Sequence, residues 1–474
     1  MNSSAAAPLA PQYRVPQPDD PTAARLLAPW YATGAPATLA DHLLRHGPVV
    51  PAAPVPDGRT SMPLVEAVER AGLTGRGGAG FHTARKLRAV AERGGRTVMV
   101  VNAMESEPAS RKDQFLLAVA PHLVLDGAVL AATVIGADTV HVCLPRTRAV
   151  QYAQLSAALN DRRHARLDPV RLRLHALPHA YVSSESTSLV SWLNGGPARP
   201  QGNPPRTHER GVARRPTLVH NAETLAHLAL IARRGPEWFR RAGTPDEPGT
   251  TLITVSGAVT DPGVQEVAIG TPLATIIDAA GRPTEALPAV LLGGFAGTWL
   301  PAQDVRTPLT RRDLAPLGAT PGAGVLVVLP PSACGLSETA RMLTYLAAQS
   351  AHQCGPCHFG LPAVAEDFTA LAAGRGDRDL LSRLHRRTAL LPGRGACRHP
   401  DGAARLAASA LRAFADDVDQ HLTHGACAAA HRPARIPVPP AEPPETWRLP
   451  PPRPCASTAS PARAGDCAAN CSPS

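Results

Sequence analysis

The chain has 474 residues, enough for about three domains on the usual length prior, and 44% of them are hydrophobic, so a sizeable core is available. Its formal charge of +10 comes almost wholly from scattered arginines, with no basic block interleaved with aromatics, which argues against a nucleic-acid stacking platform. No apolar run reaches the ~18 residues a membrane span needs, and the N-terminus lacks the basic-then-apolar order of a secretory signal, so the expectation is a cytoplasmic protein without direct membrane insertion.

Residues 1–60 are rich in Pro and Ala and read as a partly disordered N-terminal extension with one helix around 39–45. From 61 to 240 the pattern alternates. A helix starts at Pro63, a glycine-rich run occupies 75–80, an apolar strand 97–103, a buried-type helix 121–137 and another strand 138–145. Strand–helix alternation predicts a mostly parallel α/β sheet. Residues 245–330 give two strands, a helix ended by Gly281 and further strands, a small β-grasp-like α+β unit. Helical spacing returns over 335–425, opening at an N-cap Ser337, and 430–474 is a Pro-rich tail predicted to be disordered.

Four segments carry residues suited to chemistry. Gly75, Gly77, Gly78 and Gly80, with Arg76 and Phe81, form a loop whose backbone amides can approach a phosphate when a helix follows; an isolated glycine run would be only a tight turn. Lys86 lies on that following helix. Asn102 ends a strand and is followed by Glu105 and Glu107; Tyr181 and Glu185 form a third segment, and Asn221 and Thr224 a fourth. The chain has only two lysines, Lys86 and Lys112, and both fall in these segments, as expected where a compact ammonium cannot be exchanged for a guanidinium.

The nine cysteines, an odd number, include a C-x-x-C pair, which argues for metal binding or redox work over a disulfide framework. Cys354, Cys357 and the distal Cys397 are the candidate ligands, with His352 beside them; zinc and an iron–sulfur cluster both suit such a set. Cys143 and Cys427 read as ordinary buried thiols, and the Cys455, Cys467 and Cys471 spacing is too weak to define a site.

In order and spacing the four segments resemble the family of flavoprotein subunits of respiratory NADH dehydrogenase, shared by NAD-reducing hydrogenases and NAD-dependent formate dehydrogenases, over about residues 63–399. The resemblance implies a multidomain chain of α/β and α+β class: a Rossmann-like domain for FMN and NADH, a β-grasp domain of the soluble-ligand-binding type, and a helical-bundle iron–sulfur domain. It implies that Gly75, Arg76, Gly77, Gly78, Gly80, Phe81, Lys86, Asn102, Glu107, Tyr181, Asn221 and Thr224 hold the cofactor. Glu105 and Glu185 would serve the hydride transfer, and Cys354, Cys357 and Cys397 would hold a [4Fe–4S] cluster with His352 as a candidate fourth ligand. The activity implied is NADH oxidation through FMN, with electrons passed to the cluster and then to a ferredoxin-like or other redox subunit. Departures from the family pattern fall at Met104, Ser186, Asn203, Arg206 and His220, and Ala351 stands where the family has its first cluster cysteine. These keep open a flavoprotein, or a redox-inactive subunit, that no longer binds NADH and exchanges electrons with, or only binds, a ferredoxin-like partner.

Overall fold

A computed structural model of the chain describes residues 24–49, 63–202, 205–283 and 285–441, with 443, 446 and 447. The disorder expected within 1–23 and 50–60 and in the tail from 448, with Cys455, Cys467 and Cys471, falls on segments outside the described residues.

A four-stranded parallel sheet runs in the order β3-β2-β1-β4, with β1 at Thr97–Asn102, β2 at Ala137–Pro145, β3 at Arg171–Leu177 and β4 at Thr217–Asn221; its centre is apolar and β-branched, while the edge strand β3 alternates Arg and Leu. Central β1 is buried on both faces, as a parallel strand covered by helices must be. The Pro121–Ile135 helix supplies one cover. Pro121 sits in its first turn, where no N–H is needed, and Gly136 ends it in the left-handed region. This helix is buried nearly all round because the Ala222–Arg234 helix packs closely against it. At Gly127 an added Cβ would lie 1.9 Å from the Leu225 carbonyl oxygen, so the crossing requires glycine.

Among the described residues no single helix is long and apolar enough to cross a membrane. The Lys112–Val119 and Pro121–Ile135 pair passes on composition, but it is bent by 97° and its apolar residues are buried.

The second sheet is mixed, in the order β6-β5-β9-β7-β8: β5 at Thr250–Gly257, β6 at Gly263–Ala268, β7 at Ala289–Leu292, β8 at Thr298–Pro301 and β9 at Val325–Leu329. Side chains alternate across a strand, and here both faces are apolar. Leu326 and Val328 join Ile276 and Ile277 of the sheet's own Leu273–Ala279 helix, whereas Val325, Val327 and Leu329 pack into the core of the C-terminal helices. One sheet therefore serves two cores.

Helices Gly335–Ala348, Leu361–Ala372, Leu380–Leu390, His399–Ala413 and Ala415–Thr423 make up the C-terminal bundle. The first begins earlier than expected: the N-cap is Cys334, whose Sγ accepts the Ser337 N–H at 3.4 Å, so Ser337 is the capped residue and not the cap. Part of the segment expected to be a loose extension is anchored. The amides of Arg25, Leu26 and Leu27 donate to the buried Glu266 carboxylate on β6 at 2.8, 3.0 and 3.0 Å.

Beneath the junction of the two sheets lies a buried ionic group. Lys112 Nζ donates to Asp113 Oδ1 and to Glu223 Oε2, both at 2.8 Å. Glu223 Oε1 accepts the Leu252 N–H (2.9 Å) and the Thr251 hydroxyl (3.0 Å) of β5, and Asp113 Oδ2 accepts Asn221 Nδ2 at 2.5 Å. Burial opposes ionisation of both carboxylates. Lys112, reinforced by His227 and Arg76, nevertheless holds Glu223 down at about 2, whereas Asp113, facing the Glu105 and Glu223 charges, is pushed up to about 6. Replacing Lys112 by Met would leave two buried acids without their cation, and should cost about 3–5 kcal/mol in the urea unfolding free energy of the full chain. A loss below about 1 kcal/mol, the range of exposed ion pairs, would show that the group does not clamp the two sheets.

Candidate functional site

In the order β3-β2-β1-β4 the chain leaves β1 toward one side of the sheet and returns to β4 on the other. The crevice beyond the carboxyl ends of β1 and β4 is thus the switch point where such sheets bind ligands. Asn102 and Asn221 are the last residues of those strands and are register partners. The glycine loop closes over the same end: Thr74 and His82 bridge its base, and the Gly75 N–H donates to the Phe81 carbonyl at 2.8 Å. Between them is a cavity of about 500 Å³, in the range of small-molecule sites. At Gly77 an added Cβ would approach Asn221 Cβ to 3.3 Å at the cavity wall, and Gly78 has φ +97°, so the loop's course depends on glycine at both positions.

Ten of the expected cofactor and catalytic residues line this cavity: Gly75, Gly77, Gly80, Phe81, Lys86, Asn102, Tyr181, Glu185, Asn221 and Thr224. Each asparagine spends half its capacity on the chain. Asn102 donates to Ser184 O (2.8 Å) and accepts Met104 N–H (3.3 Å); Asn221 donates to Asp113 and accepts Glu223 N–H (3.0 Å) as cap of the Ala222–Arg234 helix. One amide hydrogen and one lone pair remain on each for a ligand. Lys86 Nζ reaches Val219 O at 3.3 Å, and burial lowers it below the usual ammonium range. Phe81 forms an exposed rim, with Lys86 Nζ 5.8 Å from its ring centre.

Four other expected residues do not line the cavity. Arg76 and Gly78 border a separate small crevice under the loop; the Arg76 N–H binds Thr224 Oγ1 at 2.9 Å, and Arg311 donates to Gly78 O at 3.0 Å. Glu105 is buried and fully engaged: Ser110 Oγ, the Asp113 and Gln114 amides and Arg148 Nη1 all donate to it within 3.0 Å, making it a cap for the Lys112–Val119 helix. Glu107 lies behind Tyr181, accepting the Tyr181 hydroxyl (2.9 Å) and the Phe295 N–H (3.0 Å). Glu185 does face the cavity, but its carboxylate also caps the Ser186–Leu193 helix through the Thr187 and Ser188 amides.

Of the other lining residues, His220 is marked in the sequence only as a departure from the family pattern, and Arg398 and His399 are not marked at all. His220 is buried, and its Nε2 has no partner among the described residues; burial, with Lys86 nearby, keeps it neutral. Arg398 and His399 also line the cavity, and only their adjacency to Cys397 could have signalled them. Met104 is fully buried in an apolar cluster with Val98, Val100, Cys143 and Leu189.

Cys397 itself lines the same cavity, far from the glycine loop in sequence and on a different element. Cys354 and Cys357 occupy the turn before the Leu361–Ala372 helix, where the Cys357 N–H donates to Cys354 O at 3.0 Å. Burial, then the neighbouring Cys354 and Cys397, pushes the Cys357 thiol up to about 12, a shift that a coordinated metal centre reverses. Ala351 is buried against Ala180, Val182 and Trp447. His352 is exposed with φ +51°, its ring 5.4 Å from that of His358. The thiols suit three corners of a cluster; the orphan His220 nitrogen, the Lys86 ammonium and the free amide valences suit a polar, anionic cofactor.

A nucleotide-type sheet with its cavity at the switch point, a β-grasp sheet and a thiol-bearing bundle sharing a cavity wall define a flavin and iron–sulfur electron-transfer protein. Residues 68–230 match the Nuo51 FMN-binding domain, 252–291 the SLBB domain and 337–421 the NADH-ubiquinone oxidoreductase-F iron-sulfur binding region. The chain is 30% identical over 376 residues to the F subunit of NADH-quinone oxidoreductase from Streptomyces coelicolor, covering 77% of this chain and 84% of the relative. It is 28% identical to an F subunit of the same enzyme from Rhizobium meliloti, covering 77% and 90%. Among solved structures, an NAD+-reducing [NiFe]-hydrogenase in the H2-reduced state superposes with a TM-score of 0.73 at 31% identity, over 82% of this chain and 67% of that one. The chain belongs to the family of NADH-quinone oxidoreductase F subunits.

Glu107 offers a test of the cavity's inner wall. Burial raises it to about 7 against three hydrogen-bond donors that favour its ionised form. A carboxyl raised on folding contributes stability that is full below its unfolded value of about 4.5 and lost as pH rises through about 7. Glu107→Gln should therefore flatten the fall in thermal stability between those pH values, a difference of at most roughly 3 kcal/mol. Parallel pH profiles of melting temperature for the two proteins would contradict this placement.

Proposed function

We propose that the chain oxidises NADH through an FMN held beyond β1 and β4 and passes the electrons to a [4Fe–4S] cluster at the cavity's far wall. The observation that carries this reading is that Cys397 and the glycine loop line one cavity. FMN accepts a hydride and, with the cluster, releases single electrons, chemistry that belongs to the cofactors. The chain's part is to bind and orient. Amides of the loop and Lys86 meet the flavin's anionic end, while Asn102 and Asn221 present their remaining hydrogen-bonding groups. Glu185 and Ser186 stand beside them on the nicotinamide side.

A second cavity of about 630 Å³ shares Gly80, Phe81, Lys86 and Val219 with the first and is lined beyond them by Arg85, Arg206 and His208. The Arg85 and Arg206 guanidiniums suit the diphosphate and adenine of NADH, with the Arg206 plane in the stacking role. Glu105 and Glu107 act one layer back, positioning the strand-end turn and Tyr181.

Cys354, Cys357 and Cys397 hold the cluster, and His352, next to the buried Ala351, supplies the fourth donor. Phe359, 77% exposed, and the exposed His352 and His358 flank Cys354 and Cys357. This rim suits the docking of a redox subunit, ferredoxin-like in kind, in a cytoplasmic complex.

After anaerobic reconstitution with FMN, iron and sulfide, micromolar NADH should bleach the flavin absorbance. Lys86→Met should weaken FMN binding about 10- to 100-fold, the worth of one hydrogen bond to a charged group, read by quenching of flavin fluorescence. An NADH-insensitive flavin spectrum would overturn the donor, and equal FMN affinity in both proteins would overturn the cradle.

A further inference from the structure

Away from the thiols assigned to the cluster, three side chains from distant parts of the chain converge. Cys334 Sγ, His421 Nε2 and Cys427 Sγ all lie within 4.8 Å of one another, and Cys334 Sγ is 3.8 Å from His421 Nε2. Cys427 therefore has a role beyond that of an ordinary buried thiol. We propose that Cys334, His421 and Cys427 form a second, single-ion metal site that takes zinc and closes the open end of the C-terminal bundle.

The 3.8 Å between Cys334 Sγ and His421 Nε2 is close to the edge of a tetrahedral site. With Zn–S of about 2.3 Å and Zn–N of about 2.0–2.1 Å, neighbouring ligand atoms lie about 3.5–3.8 Å apart. The histidine is already set for the task. His421 Nδ1 is 3.2 Å from the Leu371 carbonyl, which can only accept, so Nδ1 carries the proton and the Nε2 lone pair faces the two sulfurs. A backbone carbonyl behind a ligating imidazole is the usual outer support of a zinc histidine. The Cys427 N–H now points at Nε2 at 3.1 Å, and metal uptake exchanges that hydrogen bond for coordination.

Cys334 is equally prepared. It caps the 14-residue Gly335–Ala348 helix, and its Sγ accepts the Ser337 N–H at 3.4 Å, a contact that holds the sulfur in place at the helix start. Cys334 and His421 are buried while Cys427 is half-buried, which gives the ion a route in and leaves a fourth position for solvent. Two thiolates neutralise the dication, and binding releases their two protons. This site is separate from the cluster thiols, because Cys334 lies against Cys427, whereas Cys357 lies against Cys354 with Cys397 nearby. It ties the first bundle helix to the last one and to the turn beyond it. Metal affinity therefore appears as bundle stability.

The test uses the full chain with its cluster reconstituted, so that Cys354, Cys357 and Cys397 are occupied, then supplied with zinc, dialysed and analysed by plasma mass spectrometry. One zinc per chain is expected, and Cys427→Ser or His421→Ala should weaken zinc binding more than about tenfold. A Cys354→Ser/Cys357→Ser/Cys397→Ser chain should keep it. Should the ligand variants fold poorly, cobalt added to the unaltered chain gives an independent reading: a sulfur-to-cobalt charge-transfer band and tetrahedral visible bands are expected. Absence of zinc and of those bands, retention of zinc by well-folded Cys427→Ser, or a Cys334–Cys427 disulfide peptide from zinc-treated, anaerobically handled protein would each overturn the site. Loss of NADH or flavin activity bears on the other cavity and leaves this result unaffected.

Discussion

The buried ammonium of Lys112 is the constraint on which the site's geometry rests. It lies between Asp113 at the start of one helix and Glu223 at the start of another, and each acid passes the constraint onward. Asp113 holds the Asn221 amide, and so fixes how a cavity-lining residue faces the crevice. Glu223 holds the Leu252 amide and the Thr251 hydroxyl, and so fixes the second sheet against the first. An isolated buried charge is expensive to desolvate and is tolerated only when its partners are in place. The ammonium therefore favours one mutual arrangement of helices and strand over looser ones. Arginine would not replace it: the stem already passes Gly324 so closely that a Cβ there would lie 3.0 Å from Lys112 Cδ.

This explains what the sequence could and could not disclose. In a chain rich in arginine, two retained lysines mark positions where size matters, and both are at or under the cavity. The strand end at Asn102 was legible because an apolar β-branched run stops there, whereas Asn221 was marked by its motif alone and its strand, β4, was not read from the sequence. The glycine loop was legible because an unbranched backbone is needed where a ligand approaches. Carboxylates were less transparent. Glu105 and Glu185 look like reacting groups in a motif, yet both accept backbone N–H groups at helix starts, and no side-chain pattern records where backbone amides point. The anchoring of Arg25–Leu27 was hidden for a similar reason: its partner, Glu266, is far along the chain and binds main-chain donors there.

The β-grasp sheet shows how electron-carrying parts are brought together without a flexible joint. A free-standing unit would turn one face to solvent. Here β9 is apolar on both faces, Val325, Val327 and Leu329 toward the bundle and Leu326 and Val328 toward its own helix. The run reads as a fully buried strand, and that burial holds the bundle to the sheet. Glu107 adds a polar tie, since its carboxylate comes from the first domain while the Phe295 N–H it accepts belongs to a residue of the bundle core. The cavity can therefore have one wall from the glycine loop and another from Cys397 at a fixed separation, the condition for handing electrons between two cofactors.

The departures from the family pattern sort by what surrounds them. Met104 has turned inward to an apolar cluster behind β1, so its position no longer presents a polar atom, while its backbone N–H still orients Asn102. His220 faces Lys86 with a neutral ring and an unused Nε2, so a hydrogen-bonding atom is retained there in different chemistry. Ala351 buries its methyl group against Ala180, Val182 and Trp447, and the strained His352 beside it is held in the left-handed region. All three positions differ from the family pattern in side-chain polarity. Side-chain polarity beside a cofactor is one of the levers by which a protein sets its affinity and potential, so these are the positions at which such properties would differ from the family's.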